Sequence, residues 1–394
     1  MNDKPHLKFY ILSPFCLLRP TTNRIFDMRM CDGLAANGAD VEIVYPYVYM
    51  KENIRQSEIP SAFAIKNKIK TTMQYTWMRE NSPAIYSVVV MLFAFTITAF
   101  RIAFSQLIFR KESVVLSRDP KSIFPMLLLK KLTGNLLRLK IIFVAAEVTN
   151  RKLFKWVVKN SDGIFAGVTT TRDAIMKIVP LPKEKFMLSL APVPVFKNDL
   201  TKADARKKIN YSAERPLIVY TGKLGMDVNE LKYILQAASQ LKEYMFFFTG
   251  GRESAVESVK KYCEEIGANN TLFSGFMNDS AAVRNYQLAA DILVSYYTSK
   301  DHMIEFNYPQ KINEYMSTGN VIITPDTPAT RDVLNNSNVY FVEPDNSKAL
   351  ADGIKYLIEN PNIAQSLAQK ASEDIKPLSF DVKMLELINF AHSL

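Results

Sequence analysis

Lys311 and Glu314 stand three residues apart in the stretch NYPQKINEYMSTGNVIIT, residues 307–324. That pairing could hold a ligand that is anionic at one end and hydroxylated at the other. An ammonium group neutralises phosphate oxygens, and a carboxylate accepts hydrogen bonds from sugar hydroxyls. Pro309 marks a loop, a helical turn carries Lys311 and Glu314, and Ser317-Thr318-Gly319 end it. Residues 321–324 then read as a buried strand. A loop entering a helix offers free backbone N–H groups and the positive end of the peptide dipoles to an anion. An ordinary helix start in any α/β domain has the same pattern, so the rest of the chain has to decide between the two.

The elements that must position these residues alternate along the chain. In the first half, strands are expected at 7–12, 41–45, 113–117, 139–145 and 163–168. Helices are expected there at 22–37, 84–109, 123–132, 151–159 and 170–178. In the second half, strands at 217–220, 245–248, 271–273, 292–295, 321–324 and 339–342 alternate with helices at 230–241, 255–265, 280–290, 347–359 and 361–375. Such alternation implies parallel strands joined by crossover helices. The proline-rich, polar segment 192–216 reads as a linker, and 381–391 as a last amphipathic helix. A chain of 394 residues fits two domains that each bury a core. We place them at 1–200 and 201–377, with 378–394 as a C-terminal helix.

Hydrophobic residues make up 48% and charged residues 22%, which excludes a disordered chain. The three cysteines, Cys16, Cys31 and Cys263, have no metal-ligand spacing and fit free thiols in a reducing cytoplasm. No apolar run follows a basic start, so no secretory signal is expected. Charge is uneven. Residues 1–200 hold 29 Lys+Arg against 15 Asp+Glu, a balance of +14, while residues 201–394 hold 20 against 24, a balance of −4. A basic first half suits an anionic membrane surface or a phosphorylated acceptor, or is simply a solvated basic surface. Nucleic acid is the weakest partner, since zinc-finger spacing, an aromatic RNA-binding signature and heptads are all missing. The uncharged run 81–100, continued past Arg101 to 109, approaches membrane-spanning length but sits inside the β–α alternation. A helix packed in the domain with one face resting on lipid fits both facts.

The arrangement P-x-K-x-x-E-Y-M-x-x-G-x-V-I from Pro309 to Ile322 resembles the nucleotide-sugar corner of the retaining GT-B glycosyltransferases, particularly family 4. Tyr220-Thr221-Gly222-Lys223-Leu224 is similar to that family's Y-x-G-[RK]-L element, Gly250-Gly251 to its glycine turn, and Ser274-Gly275-Phe276 to the loop flanking the nucleobase. Tyr286 with Ala289-Ala290-Asp291 resembles its next strand entry. The resemblance covers nearly the whole second domain. It implies a GT-B fold: two Rossmann-like domains facing across a cleft, with the last helix crossing back onto the first domain.

It also implies roles. Gly222, Gly250 and Gly251 would let backbone approach a diphosphate that Lys223 neutralises, with Gly275, Phe276, Pro309 and Lys311 completing the donor site. Glu314 would bind the nucleotide ribose, and Glu305 the transferred sugar, although Phe306 and not Glu305 stands eight residues before Glu314. The family's second lysine position is held by Val228-Asn229, with Lys232 a turn later. In the first domain Arg19 would reach phosphate or acceptor, unless its loop only caps a helix through Thr22 or Asn23. Arg118 resembles the family's strand-end arginine. Glu147 is either the base for an acceptor hydroxyl or structural.

No D-x-D, G-x-G-x-x-G or P-loop occurs, so no metal or other cofactor is expected beyond the nucleotide-sugar co-substrate. The reading is a cytoplasmic or peripheral-membrane retaining hexosyltransferase that moves a sugar to a glycan or lipid-linked acceptor in cell-surface polysaccharide synthesis. A non-catalytic GT-B-like scaffold and a nucleotide-sugar epimerase are the alternatives.

Overall fold

The computed structural model describes residues 7–18, 22–50, 53–63, 65–109, 111–145, 148–189, 200–222, 224, 231–277, 279–299 and 310–394. The chain divides into two compact units: residues 1–190 with 380–394, and residues 191–379.

Among the described residues, unit 1 is built on seven parallel strands: β1 (Lys8–Leu12), β2 (Asp40–Tyr49), β3 (Lys70–Arg79), β4 (Ser113–Ser117), β5 (Leu139–Ala145), β6 (Gly163–Ala166) and β7 (Phe186–Leu188), in the order β3-β2-β1-β4-β5-β6-β7. Helices α1 (Thr22–Ala36), α2 (Ile59–Ala62), α3 (Ala84–Phe109), α4 (Pro120–Thr133), α5 (Lys152–Asn160) and α6 (Thr169–Ile178) connect them. Both faces of the sheet are covered, so a strand such as β4, SVVLS, is buried at every position. One core lies between the sheet and α1, and a second between the sheet and α3, α4 and α5.

The last helix, called here by its final place in chain order, α14 (Phe380–Ser393), belongs to unit 1. Its Met384, Leu387 and Ala391 join the α1-side core, and Phe380 meets Phe26 edge-on with ring centroids 5.9 Å apart. At Gly33 on α1 a Cβ would lie 2.8 Å from Met384 Cγ, so the missing side chain is what lets the two helices close.

Among the described residues, unit 2 has six parallel strands: β8 (Leu217–Thr221), β9 (Met245–Thr249), β10 (Thr271–Gly275), β11 (Ile292–Val294), β12 (Val321–Pro325) and β13 (Tyr340–Val342), in the order β10-β9-β8-β11-β12-β13. Its helices are α7 (Lys202–Lys208), α8 (Lys232–Gln240), α9 (Glu253–Glu265), α10 (Ser280–Ala289), α11 (Gln310–Met316), α12 (Ser347–Glu359) and α13 (Pro361–Asp374). In each sheet the winding reverses once, between β1 and β4 and between β8 and β11. Ligands of such sheets bind outside the carboxyl ends of the strands at that reversal.

Several elements differ from the sequence reading, the short helix α2 among them. The segment read as linker contains α7, capped where the Thr201 hydroxyl accepts from the Asp204 N–H at 3.1 Å and where basic residues fill the last turn. Strands β3 and β7 were not expected. β3 is an edge strand with Tyr75 and Trp77 pointing outward, so it lacks the apolar run of the inner strands. β7 is only three residues long.

Candidate functional site

The carboxyl end of β8 turns at Gly222, and three glycines interlock there. A Cβ at Gly250 (φ +123°) would lie 2.0 Å from the Gly222 carbonyl oxygen, and one at Gly251 (φ +80°) 2.7 Å from Leu224 Cβ. No other residue fits Gly250, on grounds of both space and conformation. The Gly222 N–H donates to Thr249 O at 3.0 Å, and the Gly250 N–H donates to Gly275 O at 2.9 Å. The loops after β8, β9 and β10 are therefore laced together by backbone alone, leaving little side-chain bulk at the reversal point.

Lys311 reaches this turn from α11. Its ammonium lies 2.7 Å from where a Gly222 Cβ would be, 4.0 Å from the Tyr220 ring centroid and 5.0 Å from that of Tyr297. Two aromatic faces hold the cation without neutralising it. Burial pushes the Tyr297 phenol above its ordinary value, opposed by the Lys311 charge. Glu314, one turn further, is half-buried, and its Oε2 accepts from Gln287 Nε2 at 3.2 Å. Gln287 also donates to Thr221 Oγ1 at 3.3 Å. Tyr315 completes the bracket, its hydroxyl accepting from the Thr221 N–H at 2.8 Å. Burial raises the Tyr315 phenol well above its ordinary range, so it stays a neutral hydrogen-bonding group. Arg284 binds the end of α11, donating to the Glu314 and Ser317 carbonyls at 2.8 Å each. Burial brings its guanidinium down to about 10, against the pull of the Glu314 charge.

Thus Gly222, Gly250, Gly251, Gly275, Lys311 and Glu314 converge on one corner. Phe276 follows Gly275 and is solvent-exposed. Lys223, Glu305, Pro309, Glu147 and Arg19 lie outside the described residues, as do Val228 and Asn229. Arg118 belongs to unit 1, 3.7 Å from Asp27 Oδ1 and over the Phe26 ring at 5.2 Å.

Sequence reasoning missed the supports: Thr221, Arg284, Gln287, Tyr315 and, in unit 1, Asp27. The i,i+3 pair Arg284 and Gln287 was a usable signal, because two polar residues on the inner face of a helix need buried partners. Asp27 accepts from Ser13 Oγ at 2.7 Å at the carboxyl end of β1, and burial pushes its carboxyl up to about 6 against the Arg118 charge.

A cavity of about 420 Å³ lies at the opposite, amino ends of the unit 2 strands, beside Pro216, Ile292 and Val321. Its cations Lys202 and Arg206 both pair with Asp291, at 3.2 and 2.5 Å, and with Glu214 also in the lining the cavity's formal charges balance, unlike the site an anion needs. Among the described residues, no three His, Cys, Asp or Glu side chains are grouped so as to hold a metal ion.

Residues 215–360, which carry this whole corner, match the sequence model of the family described as "Glycosyl transferases group 1". That match lies within unit 2. Solved structures extend the likeness to the fold of the whole chain. A glycosyltransferase from Rickettsia africae is 16% identical with a TM-score of 0.72, covering 98% of both chains. Sucrose-phosphate synthase from Thermosynechococcus elongatus is 15% identical with a TM-score of 0.71, again covering 98% of both. Anabaena HepE, solved in complex with UDP and glucose, is 11% identical with a TM-score of 0.72, covering 99% of this chain and 100% of its own. No curated protein sequence matches the chain. The fold is that of the GT-B glycosyltransferases.

Proposed function

We propose that this protein is a retaining glycosyltransferase that takes a sugar from a nucleoside diphosphate donor held by unit 2. The observation that carries the reading is the corner at Gly222, where a bare backbone turn, the Lys311 ammonium and the braced Glu314 carboxylate meet. The glycines admit a diphosphate to backbone N–H groups, and Lys311 supplies positive charge as the sugar–phosphate bond lengthens. Charge developing on a leaving group is stabilised most by groups already fixed in place. The rings of Tyr220 and Tyr297 and the hydrogen bond from Gln287 provide that fixing. Glu314 accepts from the ribose hydroxyls, and Lys223 and Glu305 are proposed to contact the diphosphate and the sugar. No metal is required in this scheme.

Retention follows if the acceptor hydroxyl attacks from the face the diphosphate leaves, giving its proton to a phosphate oxygen as the oxocarbenium-like sugar forms. The acceptor is a glycan or a lipid-linked glycan, engaged by unit 1 through Arg118, Arg19 and Glu147, in cytoplasmic assembly of a cell-surface polysaccharide. UDP-glucose is the first donor to try, since the similarly folded HepE was solved with UDP and glucose.

The test is proton NMR of donor turnover in EDTA, reading the anomer first released to water or to an added glycan. Release with retained configuration, lost in Glu314→Gln, is the expected result. A donor that stays intact with every common base and sugar, acceptor present, would overturn the reading in favour of a scaffold. Isomerisation of the donor without transfer would favour an epimerase.

A further inference from the structure

The helix α3 has no counterpart in what the donor site needs. It runs 26 residues, and its most apolar window has a mean hydropathy of 2.1. Its inner face buries Met91, Phe95, Ala99, Ile102 and Ala103 against the sheet and α4. Its outer face is a continuous stripe at helical spacing: Ile85, Val89, Phe93, Ile97, Phe100, Phe104 and Leu107, each more than half exposed. Soluble proteins rarely leave so long an apolar patch open to water.

Several polar groups along α3 are satisfied within the chain. The Thr96 and Thr98 hydroxyls donate to the carbonyls of Leu92 and Ala94, and the Tyr86 hydroxyl donates to Trp77 O. Arg101, the helix's single charge, donates to the buried Glu42 at 2.7 Å. The stripe thus offers hydrocarbon and almost no hydrogen-bonding groups, unlike a specific protein interface, which carries a hydrogen bond every 100–200 Å² or so.

Its borders differ in chemistry. On the neighbouring β3, Trp77 and Tyr75 stand 83% and 82% exposed, and a groove of about 260 Å³ runs between Trp77 and the α3 residues Phe93 and Ile97. Tryptophan and tyrosine favour the headgroup level of a bilayer, where an apolar ring and a polar edge are both accommodated. On the other flank α4 and the turn after it expose Leu128, Leu132 and Leu136 beside Lys131 and Arg138, while Lys111 follows the end of α3 and Arg79 ends β3. Apolar centre, aromatic rim and cationic margin match one occupant: the surface of a bilayer containing anionic phospholipid. Spanning is excluded because the inner face of α3 is part of the unit 1 core and cannot leave the sheet.

We propose that unit 1 docks on an anionic membrane through the outer face of α3 and the Trp77 edge of β3. The helix lies parallel to the surface, sinking Phe93, Ile97, Phe100 and Phe104 into the acyl boundary. An acyl chain enters the groove beside Trp77, and Arg79, Lys111, Lys131 and Arg138 meet phosphate headgroups. The inference does not depend on the donor site, whose nucleotide binding is measured separately and stays unchanged in the variants below.

The sequence holds two tryptophans, so Trp156→Phe leaves Trp77 as the sole reporter in the full-length chain. That protein is mixed with vesicles of phosphatidylcholine, alone or with one third phosphatidylglycerol, then sedimented, and Trp77 emission is recorded with and without bromine-labelled acyl chains. Sedimentation with the anionic vesicles, a blue shift and bromine quenching are expected. Phe93→Ser with Phe104→Ser, both at exposed positions, should weaken binding by about tenfold or more. Lys111→Glu with Lys131→Glu should weaken it several-fold on anionic vesicles only. Unchanged Trp77 emission, or vesicle binding indifferent to the phenylalanine pair, would overturn the proposal. So would a lipid-free dimer that protects 85–109 from hydrogen exchange and becomes monomeric in the phenylalanine variant, because a second copy would then cover the stripe.

Discussion

Helices α3 and α9 do the same architectural work and present opposite surfaces. Each leads from one parallel strand to the next, α3 from β3 to β4 and α9 from β9 to β10. Each lays an apolar face on its sheet: Phe95, Ala99 and Ile102 for α3, Ala255, Val256, Val259 and Cys263 for α9. Outward, α9 shows Glu253, Glu257, Lys260, Lys261, Glu264 and Glu265, whereas α3 shows an unbroken apolar stripe. The inner faces are dictated by the sheet they cover. The outer faces are free of that constraint, so the outward phenylalanines of α3 report on what lies outside the domain.

The two reversal points also differ. In unit 2 the strand ends gather a lysine on a glycine turn, whereas in unit 1 they enclose a carboxylate, Asp27, between Ser13 and Arg118. One presents a cation, and the other holds its own negative charge in a dry setting at some cost.

The sharpest way to break this contrast is at Gly250. Gly250→Ala forces a Cβ onto the Gly222 carbonyl at a positive φ, and should cost on the order of 3–4 kcal/mol in urea unfolding, with loss of nucleotide binding. Asp27→Asn tests the other reversal point. Because its folded carboxyl sits at about 6, above the ordinary 3.8, the folded state binds the proton more tightly than the unfolded one. The buried carboxylate therefore lowers stability as pH rises through that window, and the full penalty applies above it. Asp27→Asn should gain up to about 3 kcal/mol near neutral pH, a gain that vanishes below about pH 4 in a stability-versus-pH series.

A paired substitution addresses the helices themselves. Val259→Ser on the buried face of α9 should cost about 2 kcal/mol, while Phe93→Ser on the outer face of α3 should change stability by less than about 0.5 kcal/mol. Equal costs would mean that the α3 stripe is covered in the isolated protein.

Much of this was readable in the chain. The bounds of α3 follow from an apolar run too long for a strand and ended at Arg110-Lys111, and the expected helix at 84–109 is the helix observed. The convergence at Gly222 was legible because glycines, a lysine and a glutamate stand out as residue types, whatever surrounds them. Its brackets were not. Gln287 and Arg284 act through partners some 30 residues away, and Tyr315 through one 94 residues away, separations that local patterning does not encode. Helix α7 was hidden by the prolines flanking it, although Thr201 and Asp204 spelled its cap. β3 was hidden by its outward aromatics, which serve the surface and not the core.

The claim that unit 2 binds a nucleoside diphosphate is tested most directly by a thermal-shift titration with UDP, GDP, ADP and CMP and their sugar conjugates, in EDTA. The account predicts that one diphosphate and its conjugates raise the melting temperature, and that Lys311→Ala and Glu314→Gln each weaken this by about tenfold or more. No shift from any nucleotide at millimolar concentration, or a shift that survives both substitutions, would contradict it.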